Sequence, residues 1–468
     1  MQAEKVYKLD SGAEVKCLEV VRSLPGKRLV FLGKYEGNKV FVKLYLDPKK
    51  AEKHWRRELN GLDVFKRSGV STADLLYAGK VDPGGQPVIV LAQLVGLQSV
   101  KQVWEGSDDR SRERLLQRMT RLLAHHHQAG LCQTDLHLDN FMLSEEEIFS
   151  LDGAGVKFYP NGVEKNTSLE NLALFLAQLT PEWESQISDV YNLYANERGW
   201  LPDADHMLLH EKVRDAREGR WKEFRSKLFR NCTAFTYLKH RAGYQVVANK
   251  FQSGELLELL QNPDASFPGK EQALKNGNTC TVWPTAVGGL DLVIKRYNVK
   301  NIWHGIKLRL LSGRAECSWV NGHRLLFYGI PTPAPVALVE QMRGLFPTTY
   351  LLTEQVQAVS AREWFRDQNV SMEDKSGMAE QIAKILHAMW QQRIVHGDLK
   401  ATNILIAGGK PLVIDLDAMR RIASDSKFRS AWATDIERFL KNWDDNGELL
   451  GMFRKALKSR GIDDVSAV

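Results

Sequence analysis

Alternating apolar and polar residues predict strands near the start of each half of the chain. In the first half, Arg28–Leu32 and Lys39–Tyr45 flank the turn sequence Tyr35–Asn38. In the second half, Leu292–Tyr297 shows the same alternation and follows the polar, glycine-containing segment Lys275–Thr279. Two further apolar runs predict buried strands, Pro87–Leu94 and Thr349–Gln355. Each half therefore begins with a strand-rich region.

Apolar residues at helical spacing predict amphipathic helices elsewhere in both halves. The clearest example is Arg112–Ala129, in which Leu115, Met119 and Leu122 recur every three or four residues. Further predicted helices are Ala51–Lys66, Leu169–Leu179, Met378–Gln391 and Ser430–Trp443. Lys300–Arg314 combines basic residues with an apolar stripe, which predicts either an interfacial helix or one packing its apolar face within the fold.

A spacing pattern of two aspartates and one asparagine occurs twice. In each set an asparagine lies five residues after the first aspartate. A second aspartate lies 17 residues after the first aspartate, at the end of an apolar strand. The two sets are Asp135, Asn140, Asp152 and Asp398, Asn403, Asp415. Matching intervals on matching apolar frames predict an internal duplication, with one domain in residues 1–230 and another in 231–468.

These residue types suit phosphoryl transfer. The reaction needs an acid that orients the attacking hydroxyl and hard oxygen ligands for Mg²⁺. In the second half we expect Asp398 to be the base, Asn403 and Asp415 the metal ligands, and Lys400 a charge for the transferred phosphate. Asp135, Asn140 and Asp152 would play the corresponding roles in the first half. The alternative is a loop that is merely structural.

Composition narrows the class of protein. The 468-residue chain is 43% hydrophobic and 26% charged, which is typical of a globular protein able to form two cores. The N-terminus lacks the apolar segment of a secretory signal, and no apolar run is long enough to span a bilayer. Five cysteines without CxxC spacing fit a reducing compartment. We therefore expect a soluble cytoplasmic protein.

The net charge of +7 is unevenly distributed. Between Lys212 and Arg241 there are ten Lys or Arg residues against three acids, with Trp221 and Phe224 among them. This composition indicates either attraction to a phosphate-rich partner or anionic membrane, or a solvated helix face near a domain junction. No base-reading motif accompanies the charge, so no nucleic acid partner is expected.

The motifs resemble those of the lipopolysaccharide-core kinase family, which includes the heptose (WaaP-type) and Kdo kinases. VHGDLKATNIL with VIDLD, and QTDLHLDNFML with SLDG, resemble that family's catalytic and metal loops. The first catalytic loop departs from the pattern, because Gln133 and Thr134 replace the usual His-Gly. The resemblance implies an α+β, protein-kinase-like bilobal fold, duplicated, with a small mixed β lobe and a larger, mainly helical lobe in each copy.

The resemblance also implies ATP and Mg²⁺ as cofactors and assigns roles to two strand lysines. Lys43 would hold the α/β-phosphates and pair with Glu58 on the following helix. Lys295 would play the same part in the second half, but there Ser318 stands opposite the Glu58 position. Glu316 lies two residues away on another helical face, so the partner of Lys295 stays open.

The implied reaction is phosphorylation of a heptose or Kdo hydroxyl of the lipopolysaccharide inner core. The substrate would be the lipopolysaccharide core or a lipid A precursor, with peripheral contact to the anionic inner membrane. One alternative is a kinase that acts on a protein, although no A-P-E sequence follows Asp152 or Asp415. Another is a scaffold in which one half is a nucleotide-binding pseudokinase.

Overall fold

The computed structural model describes residues 5–201, 205–241, 243–298, 313–343 and 346–462. The helix predicted at Lys300–Arg314 lies outside these residues, apart from its last two positions. The chain divides into two compact units. The first comprises residues 1–179 and 183–217, and the second comprises residues 180–182 and 218–468. No helix in the described part of the chain is both long and apolar enough to cross a membrane.

The first unit opens with six antiparallel strands that close into a barrel in the order β1-β2-β3-β4-β6-β5. The strands are Val6–Leu9 (β1), Glu14–Leu24 (β2), Arg28–Tyr35 (β3), Asn38–Tyr45 (β4), Leu75–Asp82 (β5) and Pro87–Ala92 (β6). The predicted turn between β3 and β4 has Glu36 and Gly37 at its centre, both with positive φ, which favours a two-residue hairpin. Helix Ala51–Arg67 (α1) connects β4 to β5.

The rest of the first unit is mainly helical. Its helices are Val100–Gly106 (α2), Asp109–Gln128 (α3), Lys165–Leu176 (α4), Ile187–Glu197 (α5) and the part of His206–Arg225 (α6) that ends at Arg217. Five short strands form two small sheets, β7-β9-β10 and β8-β11: Gln98–Ser99 (β7), Leu131–Gln133 (β8), Phe141–Leu143 (β9), Ile148–Ser150 (β10) and Val156–Phe158 (β11). Leu115 and Met119 of α3 are buried in the core of this region, as their helical spacing predicts, and Leu122 is partly buried against it.

The second unit is built around a seven-stranded antiparallel sheet in the order β12-β13-β17-β18-β16-β15-β14. Its strands are Phe235–His240 (β12), Gly243–Ala248 (β13), Lys275–Asn276 (β14), Cys280–Val287 (β15), Leu290–Tyr297 (β16), Pro335–Arg343 (β17) and Phe346–Glu354 (β18). Short helix Gly254–Gln261 (α7) and helix Arg314–Phe327 (α8) lie between strands in the sequence. The sheet thus includes two strands, β12 and β13, where the sequence pattern predicts none.

The C-terminal part of the second unit is mainly helical and carries the second catalytic motif. Its helices are Ala361–Arg366 (α9), Met372–Gln391 (α10), Asp425–Leu440 (α11) and Gly447–Lys458 (α12). Its short strands are Val359–Ser360 (β19), Ile394–Val395 (β20), Ile404–Ala407 (β21), Lys410–Val413 (β22) and Arg420–Arg421 (β23). A large apolar core that includes Trp319, Leu386 and Trp443 supports the unit.

The basic segment Lys212–Arg241 is not a continuous solvated surface. On α6, Val213, Arg217 and Trp221 recur every four residues and are all buried. The Arg217 guanidinium is 3% exposed and pairs with Glu184. Arg217 therefore neither binds an anionic partner nor lies on a solvated helix face, so both interpretations of the segment are wrong for this residue. Its charge is buried and paired with Glu184. A count of charges along the sequence does not show which side of a helix they occupy.

Candidate active sites

In the first unit, Lys43 forms an ion pair with a buried glutamate of α1. Lys43 lies on β4 between buried Val42 and Leu44, so alternation along the strand directs its side chain to the opposite face. Its Nζ atom is 2.5 Å from Oε1 of Glu58, whose side chain is fully buried. An unpaired charge away from water is costly, and Lys43 supplies the compensating charge.

The loop after Asp152 packs directly against α1. The backbone N–H of Gly153 donates to Oε1 of Glu58 at 3.3 Å, and Oδ1 of Asp152 accepts from the backbone N–H of Ala154 at 3.0 Å. A Cβ atom on Gly61 would lie only 1.9 Å from the carbonyl oxygen of Gly153. Glycine is therefore required on the helix. This contact fixes the helix that carries Glu58 against the loop that carries Asp152.

The two carboxyl groups of this cluster differ in their pKa. Burial raises the pKa of Glu58, and the nearby Asp152 raises it further against the opposing charge of Lys43. Burial also acts to raise the pKa of Asp152, but the Lys43 charge and hydrogen bonds from Glu58 and Ala154 hold that pKa below its ordinary value. Asp152 is therefore the carboxylate of the pair that remains ionised and suits a cation ligand.

The first catalytic loop is organised by Asn140. Its side-chain N–H donates to the carbonyl oxygen of Asp135 at 3.0 Å. Its carbonyl oxygen accepts from the backbone N–H of Leu151 at 3.0 Å, which ties the loop to the residue before Asp152. The Asp135 side chain is about half exposed, and Nε2 of His137 lies 3.5 Å from its Oδ1.

Gln133 and Thr134, which replace the usual His-Gly, have their own supporting contacts. The backbone N–H and the hydroxyl of Thr134 both donate to the carbonyl oxygen of Gly155 at 2.9 Å. The Asn171 side chain donates to the carbonyl oxygen of Gln133 at 2.7 Å and is held by Nε2 of His127 at 2.9 Å. The departure from the family sequence thus leaves the loop well supported.

The second catalytic loop repeats this hydrogen bonding and adds charge. The side-chain N–H of Asn403 donates to the carbonyl oxygen of Asp398 at 2.8 Å, and the backbone carbonyl oxygen of Asn403 accepts from the backbone N–H of Ile414 at 3.0 Å. Nζ of Lys400 lies 2.8 Å from Oδ1 of Asp398, and the Arg438 guanidinium lies 3.5 Å from the same oxygen. Asp398 therefore faces two cations, whereas Leu174 occupies the position in α4 that corresponds to Arg438.

His396 and Gly397 hold Asp398 in place. His396 is fully buried, with Nε2 2.9 Å from the carbonyl oxygen of Ile414 and Nδ1 3.3 Å from the backbone nitrogen of Asp398. This arrangement requires the Nε2–H tautomer. Gly397 has φ of 81° and donates its N–H to the buried carboxylate of Asp435 at 2.9 Å. The histidine is thus a positioning group that connects the catalytic loop to the strand before Asp415.

Lys295 is held by a carboxylate that the sequence analysis did not identify. Its Nζ atom lies 2.6 Å from Oδ1 of Asp415 and 2.9 Å from Oδ1 of Asp417. Asp417 is 9% exposed and collects three further donors within 3 Å. These donors are the Arg314 guanidinium at 2.5 Å, the Ser318 hydroxyl at 2.6 Å and the Tyr297 hydroxyl at 2.9 Å.

The two units place the acid that accompanies the strand lysine on different elements. In the first unit the acid is Glu58 on α1, and Ala154 stands two residues after Asp152. In the second unit Ser318 occupies the helix position, and Asp417 stands two residues after Asp415. Glu316, the other helix acid, accepts a hydrogen bond from Tyr244 instead. The acid therefore comes from the helix in the first unit and from the loop after Asp415 in the second.

Electrostatics around Asp417 favour its ionised form. Burial acts to raise its pKa, but Lys295, the Ser318 hydroxyl and Arg314 together hold the pKa below the usual value. Burial acts to lower the pKa of Lys295, and Asp417 with Asp415 outweighs it and raises the pKa above the usual value. Both groups therefore carry full charge near neutral pH.

A cavity of about 770 Å³ lies within the second unit beside these residues. Lys295, Asn403 and Asp415 line it together with apolar side chains such as Val282, Val293 and Leu405. Its volume and its mixed lining are typical of a small-molecule site. The segment Glu354–Ala358, which follows β18, lines the same cavity.

Asn403 and Asp415 fit a hard divalent cation. The amide nitrogen of Asn403 donates to Asp398, which leaves its amide oxygen as the atom that can bind a metal. Mg²⁺ is commonly held by one or two protein oxygens together with substrate phosphates. Within the described residues no cluster of three or more His, Cys, Asp or Glu could bind a metal by itself. The donor set thus suits Mg²⁺ accompanied by a nucleotide.

Comparisons with known proteins bear on the same regions. The model of the lipopolysaccharide kinase (Kdo/WaaP) family matches residues 20–159 and 275–448, which is more than half of the chain and includes both catalytic motifs. Two structures of the Mycobacterium tuberculosis PknI kinase domain, one of them a mutant, are 17% identical. Each match covers 35% of this chain and 72% of the other, with TM-scores of 0.27 and 0.26. A search of curated proteins found no match.

Proposed function

The chain belongs to the lipopolysaccharide kinase (Kdo/WaaP) family, and from this premise we propose that it transfers phosphate from ATP to a heptose or Kdo hydroxyl. Membership makes the chain a kinase and indicates lipopolysaccharide core sugars as its general substrate class. The choice of sugar, the use of ATP with Mg²⁺ and the duplicated bilobal kinase fold are parts of the proposal. A lipid A precursor carrying core sugars would be the acceptor.

The second unit is the proposed site of phosphoryl transfer. The observation that carries this assignment is one cavity lined by Lys295, Asn403 and Asp415, beside a catalytic loop that presents Asp398 with Lys400. Asp398 would accept the proton of the sugar hydroxyl as that oxygen bonds to the γ-phosphorus, while the bond from this phosphorus to the β–γ bridging oxygen breaks and ADP leaves. Lys295 would bind the α/β-phosphates, and Lys400 would face the transferred group. Mg²⁺, when bound, would neutralise phosphate charge between Asn403 and Asp415.

The contacts of Asp398 agree with a base that must be held in one orientation. Asn403 fixes the backbone of Asp398 at 2.8 Å, and Arg438 donates to the carbonyl oxygen of Gly397 at 2.8 Å. His396 fixes the same loop from inside the protein. A group positioned in this way loses little freedom when the acceptor binds, which is how positioning contributes to rate.

The first unit has two roles open to it. It retains Lys43, Glu58 and Asp152 in contact, which favours nucleotide binding. Asp135, however, has His137 as its neighbour where Asp398 has Lys400 and Arg438. The second candidate function is therefore that this unit is a nucleotide-binding pseudokinase which supports the active second unit.

The proposed function is tested by Asp398→Asn in a strain that lacks the native protein. We expect the purified variant to lose about 10²–10⁴-fold in turnover, because a positioned base typically contributes that much. Mass spectrometry of the core oligosaccharide should show one phosphate fewer than after complementation with the wild type. The matched control is Asp444→Asn, an exposed aspartate of the same unit. Unchanged turnover in Asp398→Asn would contradict the assignment of Asp398 as the base.

A further inference from the structure

An open pocket of about 800 Å³ lies on the first unit, against the outer face of α1 and strand β11. None of its lining residues belongs to the candidate active sites except Gly61, which forms part of its floor. The side chains are of two kinds, with basic groups on one face of α1 and just before its first residue, and apolar groups beside them. The basic ones are Lys49, Lys53, Arg56 and Arg57, and the apolar ones are Val64, Val156 and Phe158.

The charge of the pocket is largely uncompensated. Arg56 pairs with Glu52, the pocket's single acid, at 2.9 Å. Lys49, Lys53 and Arg57 are exposed and form no ion pair with another described residue. Lys49 lies just before α1, and Lys53 and Arg57 lie one turn apart on the helix. Three cations lining one pocket repel each other, and an anion placed between them would relieve this repulsion.

Phe158 distinguishes this pocket from an ordinary solvated helix face. Its side chain is 51% exposed although it lies on a strand paired with β8, and Val156 and Val64 line the same pocket. A large exposed aromatic ring bordered by cations suits a ligand with an anionic head and an apolar part. Membrane-surface sites combine these two features, because basic side chains bind anionic head groups while aromatic rings enter the interface.

We propose that this pocket binds the phosphate-bearing head group of an anionic membrane lipid. Lys53 and Arg57, one helical turn apart, contact the phosphate, and Phe158 contacts the apolar region below it. A free phosphate ion shares the anionic chemistry but would gain nothing from Phe158. The site is separate from the basic segment Lys212–Arg241, in which Arg217 is buried and already paired.

The pocket is also placed to influence the first candidate active site. The opposite face of α1 carries Glu58, which pairs with Lys43, and Gly61 joins the helix to the loop after Asp152. A lipid bound to the outer face would therefore restrain the helix that positions Lys43 and the Asp152 loop. This consequence rests on the proposed nucleotide role of these residues, whereas lipid binding itself does not.

Vesicle co-sedimentation of the full-length protein tests the proposal, with phosphatidylglycerol-containing vesicles compared with pure phosphatidylcholine. Each basic residue near an anionic surface contributes about fivefold to affinity, so Lys53→Glu/Arg57→Glu should weaken binding by at least about 30-fold. The matched control is Arg110→Glu/Arg114→Glu, two exposed arginines of α3 with the same charge change. Equal weakening by both pairs would overturn the proposal, because it would show a response to net charge alone.

Phe158→Ala separates a lipid from a free anion. We expect it to weaken vesicle binding severalfold while phosphate binding, followed by calorimetry with inorganic phosphate, stays unchanged. Unchanged vesicle binding in Phe158→Ala together with tight binding of inorganic phosphate would replace the lipid by a soluble anion and refute the proposal. Asp398→Asn should bind vesicles normally, so failure of the pocket and failure of the proposed phosphotransfer are distinguishable.

Discussion

Asp417→Ala should destabilise the second unit, because Asp417 is the acceptor around which four donors converge. Removing one partner of a buried ion pair typically costs about 3–5 kcal/mol. Here Lys295 keeps Asp415 at 2.6 Å, and Arg314 is 38% exposed and can turn to water. We therefore expect a smaller loss of about 2–4 kcal/mol in the free energy of unfolding.

Comparison of the two units indicates a second substitution that should restore part of the stability lost in Asp417→Ala. Ser318→Glu combined with Asp417→Ala reproduces the arrangement of the first unit, in which Glu58 and Ala154 occupy these positions. A carboxylate returned to the helix would again face Lys295. We expect the double variant to be more stable than Asp417→Ala alone, and more stable than the two single effects predict when added. If the effects of the two substitutions simply add, a carboxylate at position 318 does not replace the one at position 417, and the idea is refuted.

Amide hydrogen exchange localises the measurement to α8 and the loop that follows Asp415. Peptides from these segments should exchange faster in Asp417→Ala and recover in the double variant.

The pH dependence has a defined sign. The folded pKa of Asp417 lies below its ordinary value, so its contribution is complete above the unfolded pKa of about 4 and is lost as pH falls through the folded value. A difference between wild type and Asp417→Ala that grows below pH 4 would contradict this.

Two further predictions concern the first unit and the nucleotide sites. Gly61→Ala should lower the free energy of unfolding, measured by thermal unfolding, by about 1–3 kcal/mol, because the new Cβ atom meets the Gly153 backbone. The control Gly219→Ala adds a Cβ atom to a helical glycine with open space around it, so it should be neutral or stabilising. Titration with Mg²⁺-ATP should give two sites per chain, one lost in Asp152→Ala and the other in Asp415→Ala. Loss of all binding in Asp415→Ala, with Asp152→Ala unaffected, would make the first unit a pseudokinase without nucleotide.

Local sequence signals predict the elements around the candidate sites well. The hairpin of β3 and β4 and the helices α1 and α3 begin and end within three residues of the predicted bounds, because each has a strong period. Helix α10 ends at the predicted Gln391 but begins at Met372, where the Ser371 side chain caps it, six residues before the predicted start. The strands β12 and β13 are different. Leu238, Lys239 and His240 of β12 are exposed one after another at the sheet edge, so the strand lacks the alternating apolar pattern that would predict it. Its pairing with β17 is a tertiary contact that local pattern does not reveal.

Asp417 shows why a candidate site can be incomplete even when its motif is recognised. By analogy with Glu58 on α1, the sequence predicts an acid for Lys295 on α8, but Ser318 occupies that position and Glu316 lies on another face of the helix. Lys295 and Asp417 are 122 residues apart in sequence, so only the folded chain shows their contact. The available signal was the second acid of the sequence Ile-Asp-Leu-Asp that ends at Asp417, which has no equivalent at Ala154.

The different positions of Glu58 and Asp417 also indicate which electrostatic surroundings the strand lysine needs in each unit. In both units the lysine ammonium group faces two carboxylates. One belongs to Asp152 or Asp415, at matching positions in the two units. The other comes from different elements, since it is Glu58 on α1 in the first unit and Asp417 in the loop after Asp415 in the second. Such a cluster keeps the lysine charged and directed at the metal loop, since each alternative partner lies close to that loop. Ser318 and Tyr297 complete the second version by donating to Asp417, so a helix residue still takes part. The electrostatic arrangement is therefore common to both units, while the element that supplies the second carboxylate differs between them.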